Sequence, residues 1–460
     1  MQQSISLNNL QHVFFIGVAG TGMSALAQYL VGIGKKVSGS DRYFTAHQQT
    51  DTQQKLIAAG ITCFEQNGSG INAGIDLVVV STAVEDTVPE VQQALALQIP
   101  IIKRSDLLAL IAASKKTIAV GGTSGKSTTG GMLYEILQFA GYEPSIISGA
   151  GLVRIMQQGK IGNAMVGNGE WLIIEADESD GSIVKYHPEV GLLLNIDKDH
   201  QEIDELINIF STYQQNTSSF FVTNQSHPLA KKLSINIQHD FSSDEHTAGY
   251  KATDLVQSGM HITFKINDVP FSLNTVGKHN MENALAAATV AHLIGIDLSS
   301  AAAALKQYEG IYRRHQLLGV KNGITVIDDY AHNPAKCAAS ISACQPIAPK
   351  VIAWFQPHGY GPTRFLRNDF VHEIAAVLRP TDEIWMSEIF YAGGTAVKDI
   401  SASDLINDIK QLGKQAFFVE DRNTLLNHMQ PHFTENCVLL LMGARDPSLE
   451  DFSNSIFKNL

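Results

Sequence analysis

The chain has 460 residues, 44% of them hydrophobic and 17% charged, a balance that fits a soluble globular protein with several cores. Its formal charge of −12 argues against a general nucleic-acid-binding surface, and any anionic ligand must be held by local dipoles and a few placed cations. Cys63, Cys337, Cys344 and Cys437 make no C-x-x-C pair and no zinc spacing, the opening MQQSISLNNL lacks a signal-peptide core, and no apolar run reaches membrane-spanning length; a cytoplasmic chain with reduced thiols is expected.

The first element is HVFFIGV, a buried strand that runs into a glycine turn with Gly17, Gly20 and Gly22. Thr21, Met23 and Ser24 open the helical pattern that follows, and Asp41 ends the second strand in VSGSD. The spacing is G-x-x-G-x-G, not the dinucleotide G-x-G-x-x-G; the loop fits a diphosphate without saying which molecule carries it. LVVVST is the next clear strand. A domain boundary is expected near Ala112–Lys116, where IAASKK ends a helix before a fresh strand.

That strand opens TIAVGGTSGKSTTGGMLYEILQFAG, which reads as strand, glycine turn and helix. The common phosphate loop would place a glycine where Val120 stands. The physical requirement is looser: small residues let backbone N–H groups converge on phosphate oxygens where a helix begins. Gly122, Thr123, Ser124, Gly125 and Thr128 belong to such a loop, Lys126 would neutralise phosphate charge, and the Ser127 hydroxyl would ligate Mg²⁺. Downstream, WLIIEADESD gathers Glu175, Asp177, Glu178 and Asp180 at a strand exit, where like charges repel unless a cation sits among them. VGLLLNIDKDH ends another strand with Asn195, Asp197, Asp199 and His200, beside the same expected phosphates.

Residues 230–275 are more polar and strand-like, an expected antiparallel excursion. The alanine-rich helix SSAAAALKQYEG precedes a second boundary near Glu309–Arg313, after which ITVIDDY and VIAWFQ resume the strand pattern. Alternation of apolar strands and helical stretches predicts an α/β fold with parallel sheets, ligands lying at the strand exits. Three domains are expected: a Rossmann-like domain over 1–113, a central phosphate-loop domain over 114–312, and a Rossmann-like C-terminal domain over 313–460.

FIGVAGTGMSALA, GGTSGKSTT, EADESDGS, NIDKDH, GKHNMENALAA, YRRHQLLG, VIDDYAHNP and WFQPHGYGPTR, in this order, resemble the Mur ligase superfamily, most closely its alanine-adding branch. The family's short ATP loop counts from Gly122, so Val120 is no defect. The resemblance implies an ATP-dependent C–N ligase of peptidoglycan precursor synthesis, hence of cell-wall biogenesis, cell shape and division. The carboxylate of UDP-N-acetylmuramate becomes an acyl phosphate, then an amino group displaces phosphate. It implies UDP-sugar at the first loop and Asp41, and ATP at residues 122–128 with Asn280, Arg314 and Asp329. Two Mg²⁺ ions would sit on Ser127, Glu175 and His200, with Tyr330, His332 and Arg364 facing the amino acid. Lys126, Glu175, His200, Arg314 and His332 are the implied catalytic set. A monomer or weak homodimer is expected.

The sequence departs from that pattern at the acceptor. Two arginines that follow FQPH in the alanine-adding branch are replaced by Gly359 and Pro362, leaving Arg364; Arg367 or Arg445 could take over. Ser124 and Asn333 stand where that branch has histidines, and DHQEID replaces D-H-x-D. L-alanine is the first choice of acceptor. The alternative is a recycling ligase that attaches the tripeptide L-Ala-γ-D-Glu-meso-diaminopimelate. An NAD(P)-dependent oxidoreductase would leave Lys126, Glu175 and His200 idle, and an inactive ligase-like regulator would not need them.

Overall fold

The apolar runs form the inner strands of parallel sheets in the computed structural model, which describes residues 5–45, 47, 49–81, 84–197, 202–244, 247–391 and 397–460. The first sheet contains β1 (His12–Ile16), β2 (Lys36–Asp41), β3 (Thr62–Glu65), β4 (Leu77–Val80) and β5 (Ile101–Lys103), ordered β3-β2-β1-β4-β5 and parallel throughout. Every residue of β1 is buried, as a central strand covered on both faces requires.

The second sheet contains β6 (Lys116–Gly121), β7 (Ser145–Ile147), β8 (Ala164–Met165), β9 (Trp171–Ala176), β10 (Val190–Leu193) and β11 (Phe220–Thr223), ordered β11-β10-β6-β9-β7-β8. Its pairs are parallel except β7 with β8. Strand β6 therefore lies between β10 and β9, which brings the lysine loop between the two acidic exits. The polar stretch is indeed stranded: β12 (Phe241–Ser242), β13 (Tyr250–Ser258), β14 (His261–Ile266) and β15 (Val269–Leu273) neighbour in sequence order, though β12 pairs with β13 in parallel, not antiparallel.

The last sheet contains β16 (Gln316–Lys321), β17 (Ile324–Asp329), β18 (Lys350–Phe355), β19 (Glu383–Met386), β20 (Gln415–Phe418) and β21 (Cys437–Met442), ordered β16-β17-β21-β18-β19-β20. Only β16 runs antiparallel to its neighbour. Along β21, Val438, Leu440 and Met442 enter one buried cluster and Cys437, Leu439 and Leu441 another. The alternation of a pleated strand thus feeds two cores from one continuous apolar run.

Two compact units result. The first comprises Met1–Thr253, Lys265–Phe271 and Glu282–Ile311; the second comprises Asp254–Phe264, Ser272–Met281 and Tyr312–Leu460. Within the first unit a single buried cluster runs from Leu7 to Ala230 and includes Leu26 and Leu30 of the first sheet's helix with Ile147, Ala164 and Leu172 of the second sheet. No helix among the described residues is long and apolar enough to cross a membrane.

Candidate active site

The lysine loop is clamped by the exit of β10. Thr123 Oγ1 donates to Asn195 Oδ1 at 2.9 Å, the Ser124 amide donates to the same oxygen at 2.8 Å, and Asn195 Nδ2 donates back to the Ser124 carbonyl at 3.1 Å. The Asp197 amide donates to Thr123 Oγ1 at 3.0 Å. Gly125, at φ +87°, starts the helix Lys126–Phe139, and no side chain caps it. The first-turn N–H groups and the positive end of the helix dipole are thereby left for an anion. Ser127 is buried in that first turn.

Lys126 Nζ donates to the Gly122 carbonyl and to Glu178 Oε2, both at 2.7 Å. Burial works against its charge, yet Glu178, Asp177 and Glu175 outweigh that and hold its pKa above the ordinary lysine value. Burial pushes Glu178 up, only partly offset by Lys126. For Asp177 burial is overcome by Lys126, Ser179 and Arg104, and its pKa falls. The acidic cluster is thus partitioned: Glu178 faces Lys126, Asp177 accepts from the Ser179 amide at 3.2 Å, and Asp180 accepts from the Ser182 amide at 2.9 Å and pairs with Arg104 at 3.5 Å.

Glu175 is held differently. It stands on β9 opposite Val120 of β6, and its Oε1 accepts from Ser148 Oγ at 2.7 Å and from the Gly149 amide at 2.6 Å. A Cβ on Gly149 would lie 2.9 Å from Oε2, so glycine is what leaves room for the carboxylate. Two donors on Oε1 fix the carboxylate at the exit of β9. Oxygen donors from Ser127 and Glu175 fit Mg²⁺, which binds through one or two carboxylates together with phosphate and water. Among the described residues no three His, Cys, Asp or Glu side chains form a ready-made metal cluster. Asp199 and His200 lie outside the described residues.

In the first glycine loop, the Gly17 and Val18 amides donate to the Ser40 carbonyl at 2.8 and 3.0 Å. Asp41 is buried and accepts from the Ala19 amide at 3.0 Å and the Tyr43 amide at 3.1 Å, so it shapes the loop from within. The helix Thr21–Gly32 follows with no side-chain cap; Met23 and Ser24 are buried in its first turn. Arg104 packs on Gly22, where a Cβ would come within 3.0 Å of its Cδ.

In the second unit the two arginines of the linker part company. Arg313 is buried, grips Asp328 with Nε at 2.8 Å and Nη2 at 3.2 Å, and donates to the Gly443 carbonyl at 3.0 Å. Arg314 lies over the Tyr330 ring at 4.7 Å. Asp329 accepts from Ser340 Oγ at 2.7 Å and from the His315 amide at 3.1 Å; burial is overcome by His315, Arg314 and Ser340, which lower its pKa. Asn280 donates to Thr275 Oγ1 and the Val276 carbonyl at the start of its own helix. His332 Nδ1 donates to the Tyr330 carbonyl at 2.9 Å, and burial, then Lys336, push its pKa down to about 3. The imidazole is therefore neutral, with Nε2 carrying the lone pair. Its ring lies 5.7 Å from that of His358.

The candidate acceptor arginines lie in solvent-accessible ion pairs: Arg364 with Asp399, and Arg367 with Asp408 at 2.8 Å. Arg445 is exposed. Lys398 lies over the rings of Tyr391 at 4.5 Å and Tyr360 at 5.9 Å. Sequence reading passes over Ser148, Asn163 and Arg104. The signal for Ser148 is present in SIISGAG, a further strand exit with glycines.

Three domain families match the chain: "Mur ligase family, catalytic domain" over residues 12–116, "Mur ligase middle domain" over 120–291, and "Mur ligase, glutamate ligase domain" over 313–445. A UDP-N-acetylmuramate–L-alanine ligase from Synechococcus sp. (strain RCC307) is 34% identical, covering 97% of this chain and 96% of its own. One from Carboxydothermus hydrogenoformans is 34% identical over 94% and 93%. The crystal structure of a UDP-N-acetylmuramate–alanine ligase from Thermotoga maritima superposes with a TM-score of 0.78 at 26% identity, covering 98% and 99%.

Proposed function

Because the chain belongs to the Mur ligase family, we propose that it joins L-alanine to the carboxylate of UDP-N-acetylmuramate at the expense of ATP, an early step of peptidoglycan precursor synthesis. The single observation that carries this reading is the pairing of β6 with β9, which sets the Lys126 loop beside Glu175, itself fixed by Ser148 and Gly149.

A carboxylate is a poor acyl donor until one of its oxygens becomes a good leaving group. Its attack on the γ-phosphate gives an acyl phosphate; the amino group then attacks the acyl carbon and phosphate departs. Phosphoryl transfer needs positioning and charge stabilisation more than covalent help. Lys126 supplies a charge held on by its acidic neighbours, Glu178 among them at 2.7 Å. The open N–H groups at the start of Lys126–Phe139 take the phosphates. Bound Mg²⁺, in two ions by the family pattern, would neutralise phosphate charge, with Ser127, Glu175 and His200 as its ligands. Thr123, Ser124 and Thr128 shape the loop, and the first glycine loop with Asp41 receives the UDP moiety. Arg314, Asn280 and Asp329 are assigned to ATP, and Tyr330, His332 and Arg364 to the amino acid. The expected compartment is the cytoplasm.

A second reading, attachment of a tripeptide, rests on Gly359 and on the engagement of Arg364 by Asp399. One assay separates them: ATP, Mg²⁺ and UDP-N-acetylmuramate are supplied with L-alanine or with the tripeptide, and phosphate release and product mass are followed. L-alanine is expected to give product. Product from the tripeptide alone would establish the second reading, and no UDP-sugar-dependent phosphate release with either would remove both. Lys126→Ala is expected to abolish turnover while UDP-sugar binding, measured by calorimetry, persists.

A further inference from the structure

The loop from β7 to β8 starts at Ser148 and ends at Asn163. The Ser148 amide donates to the Asn163 carbonyl at 2.8 Å, extending the ladder in which Ile147 faces Ala164. Asn163 is 1% exposed. Its Nδ2 donates to the Thr21 carbonyl at 2.8 Å and to Ser24 Oγ at 2.9 Å, and its Oδ1 accepts from Gln28 Nε2 at 2.8 Å. All three partners lie on the helix that follows the diphosphate loop. On the other side Ser148 reaches Glu175. One run of buried and part-buried hydrogen bonds therefore joins the first glycine loop's helix to the carboxylate beside the phosphate loop.

Apolar packing already holds these elements together, since Leu26, Leu30, Ile147 and Ala164 share one core. Attachment alone does not call for a buried amide, whose burial is costly unless each polar atom is paired. What the amide adds is register. Apolar contact tolerates sliding, whereas hydrogen bonds at 2.8–2.9 Å fix a direction and a distance. In-line transfer between a carboxylate carried by one loop and a phosphate carried by another is sensitive to such register: a misplacement of about 1 Å costs on the order of a hundredfold in rate.

We propose that Asn163 is a positioning residue that keeps the UDP-sugar loop in register with Glu175 and the ATP loop, so that occupancy of one loop is felt at the other. This rests on the ligase reading.

The test uses the full chain with Asn163→Ala and the isosteric Asn163→Asp, which keeps the acceptor for Gln28 and loses the donors to Thr21 and Ser24. UDP-N-acetylmuramate and a Mg²⁺-loaded non-hydrolysable ATP analogue are titrated singly and in each other's presence, alongside kcat, KM and thermal midpoint. Each ligand alone should bind nearly as in the wild type, the mutual enhancement should be lost so that KM for each rises by the factor lost, and kcat should fall about tenfold to a hundredfold. A lowered midpoint with kcat and coupling intact would reduce Asn163 to a structural role and overturn the proposal. Loss confined to UDP-sugar affinity, or no coupling in the wild type, would overturn it as well. The binding arm needs no acceptor, so a wild type that binds both ligands without turnover would refute the ligase reading while still deciding the role of Asn163.

Discussion

At Gly125 the backbone and the packing make the same demand. Its φ of +87° lies where side chains are strained, and a Cβ there would sit 2.5 Å from Asn283 Oδ1 and 3.2 Å from Leu194 Cδ1. Asn283 is not free to withdraw, because its Oδ1 accepts from Thr129 at 3.2 Å. Gly125→Ala should therefore cost more than about 1 kcal/mol of stability, and binding of the ATP analogue, read by calorimetry, should weaken at least roughly tenfold as the first-turn N–H groups are displaced. Wild-type affinity in this variant would contradict the loop as described. Much at this scale is legible in the sequence, since glycine, lysine and serine at fixed offsets after a strand have few other uses. Partners at a distance are not: nothing local to EADESD says that Glu178 takes the lysine while Glu175 goes to Ser148. That sorting depends on which strand lies beside β6.

Among the elements, the helix Lys278–Leu293 carries a pH dependence in its first turn. The His279 ring lies 5.0 Å from His315, and burial, then His315, depress its pKa to about 3 against the opposing pull of Asp329. A depressed value means that the folded state favours the neutral ring. Its contribution to stability is complete above the unfolded value of 6.5 and is lost as pH falls toward about 3. Moving from pH 7 to pH 5 should cost the second unit about 1–2 kcal/mol from this residue. Thermal unfolding followed between those values should show the loss in the wild type and a shallower one in His279→Asn; identical slopes would contradict it. The longer elements were legible because apolar runs such as TIAV and WLII must be covered on both faces. Strands β7 and β8 span three and two residues, too short for any periodicity, and the loop they enclose holds Ser148 and Asn163.

For the molecule as a whole, a net charge of −12 means that the two polyanions of the proposed reaction would have to be held locally. In the proposed function, two uncapped helix starts, Lys126 and Arg104 would supply the attraction that the overall field lacks. The α/β class follows from alternating strands and helices, and the ligase chemistry from the order of the motifs. The acceptor is harder to read, because identity there rests on which cations remain free once Arg364 and Arg367 have paired with Asp399 and Asp408. The central chemical claim, that a sugar carboxylate attacks ATP, is tested most directly by oxygen transfer. UDP-N-acetylmuramate carrying ¹⁸O in its lactyl carboxylate is turned over with ATP and L-alanine, and the released phosphate is examined by mass spectrometry. The expected result is one ¹⁸O in each phosphate released with product, and unlabelled phosphate would contradict an acyl-phosphate route.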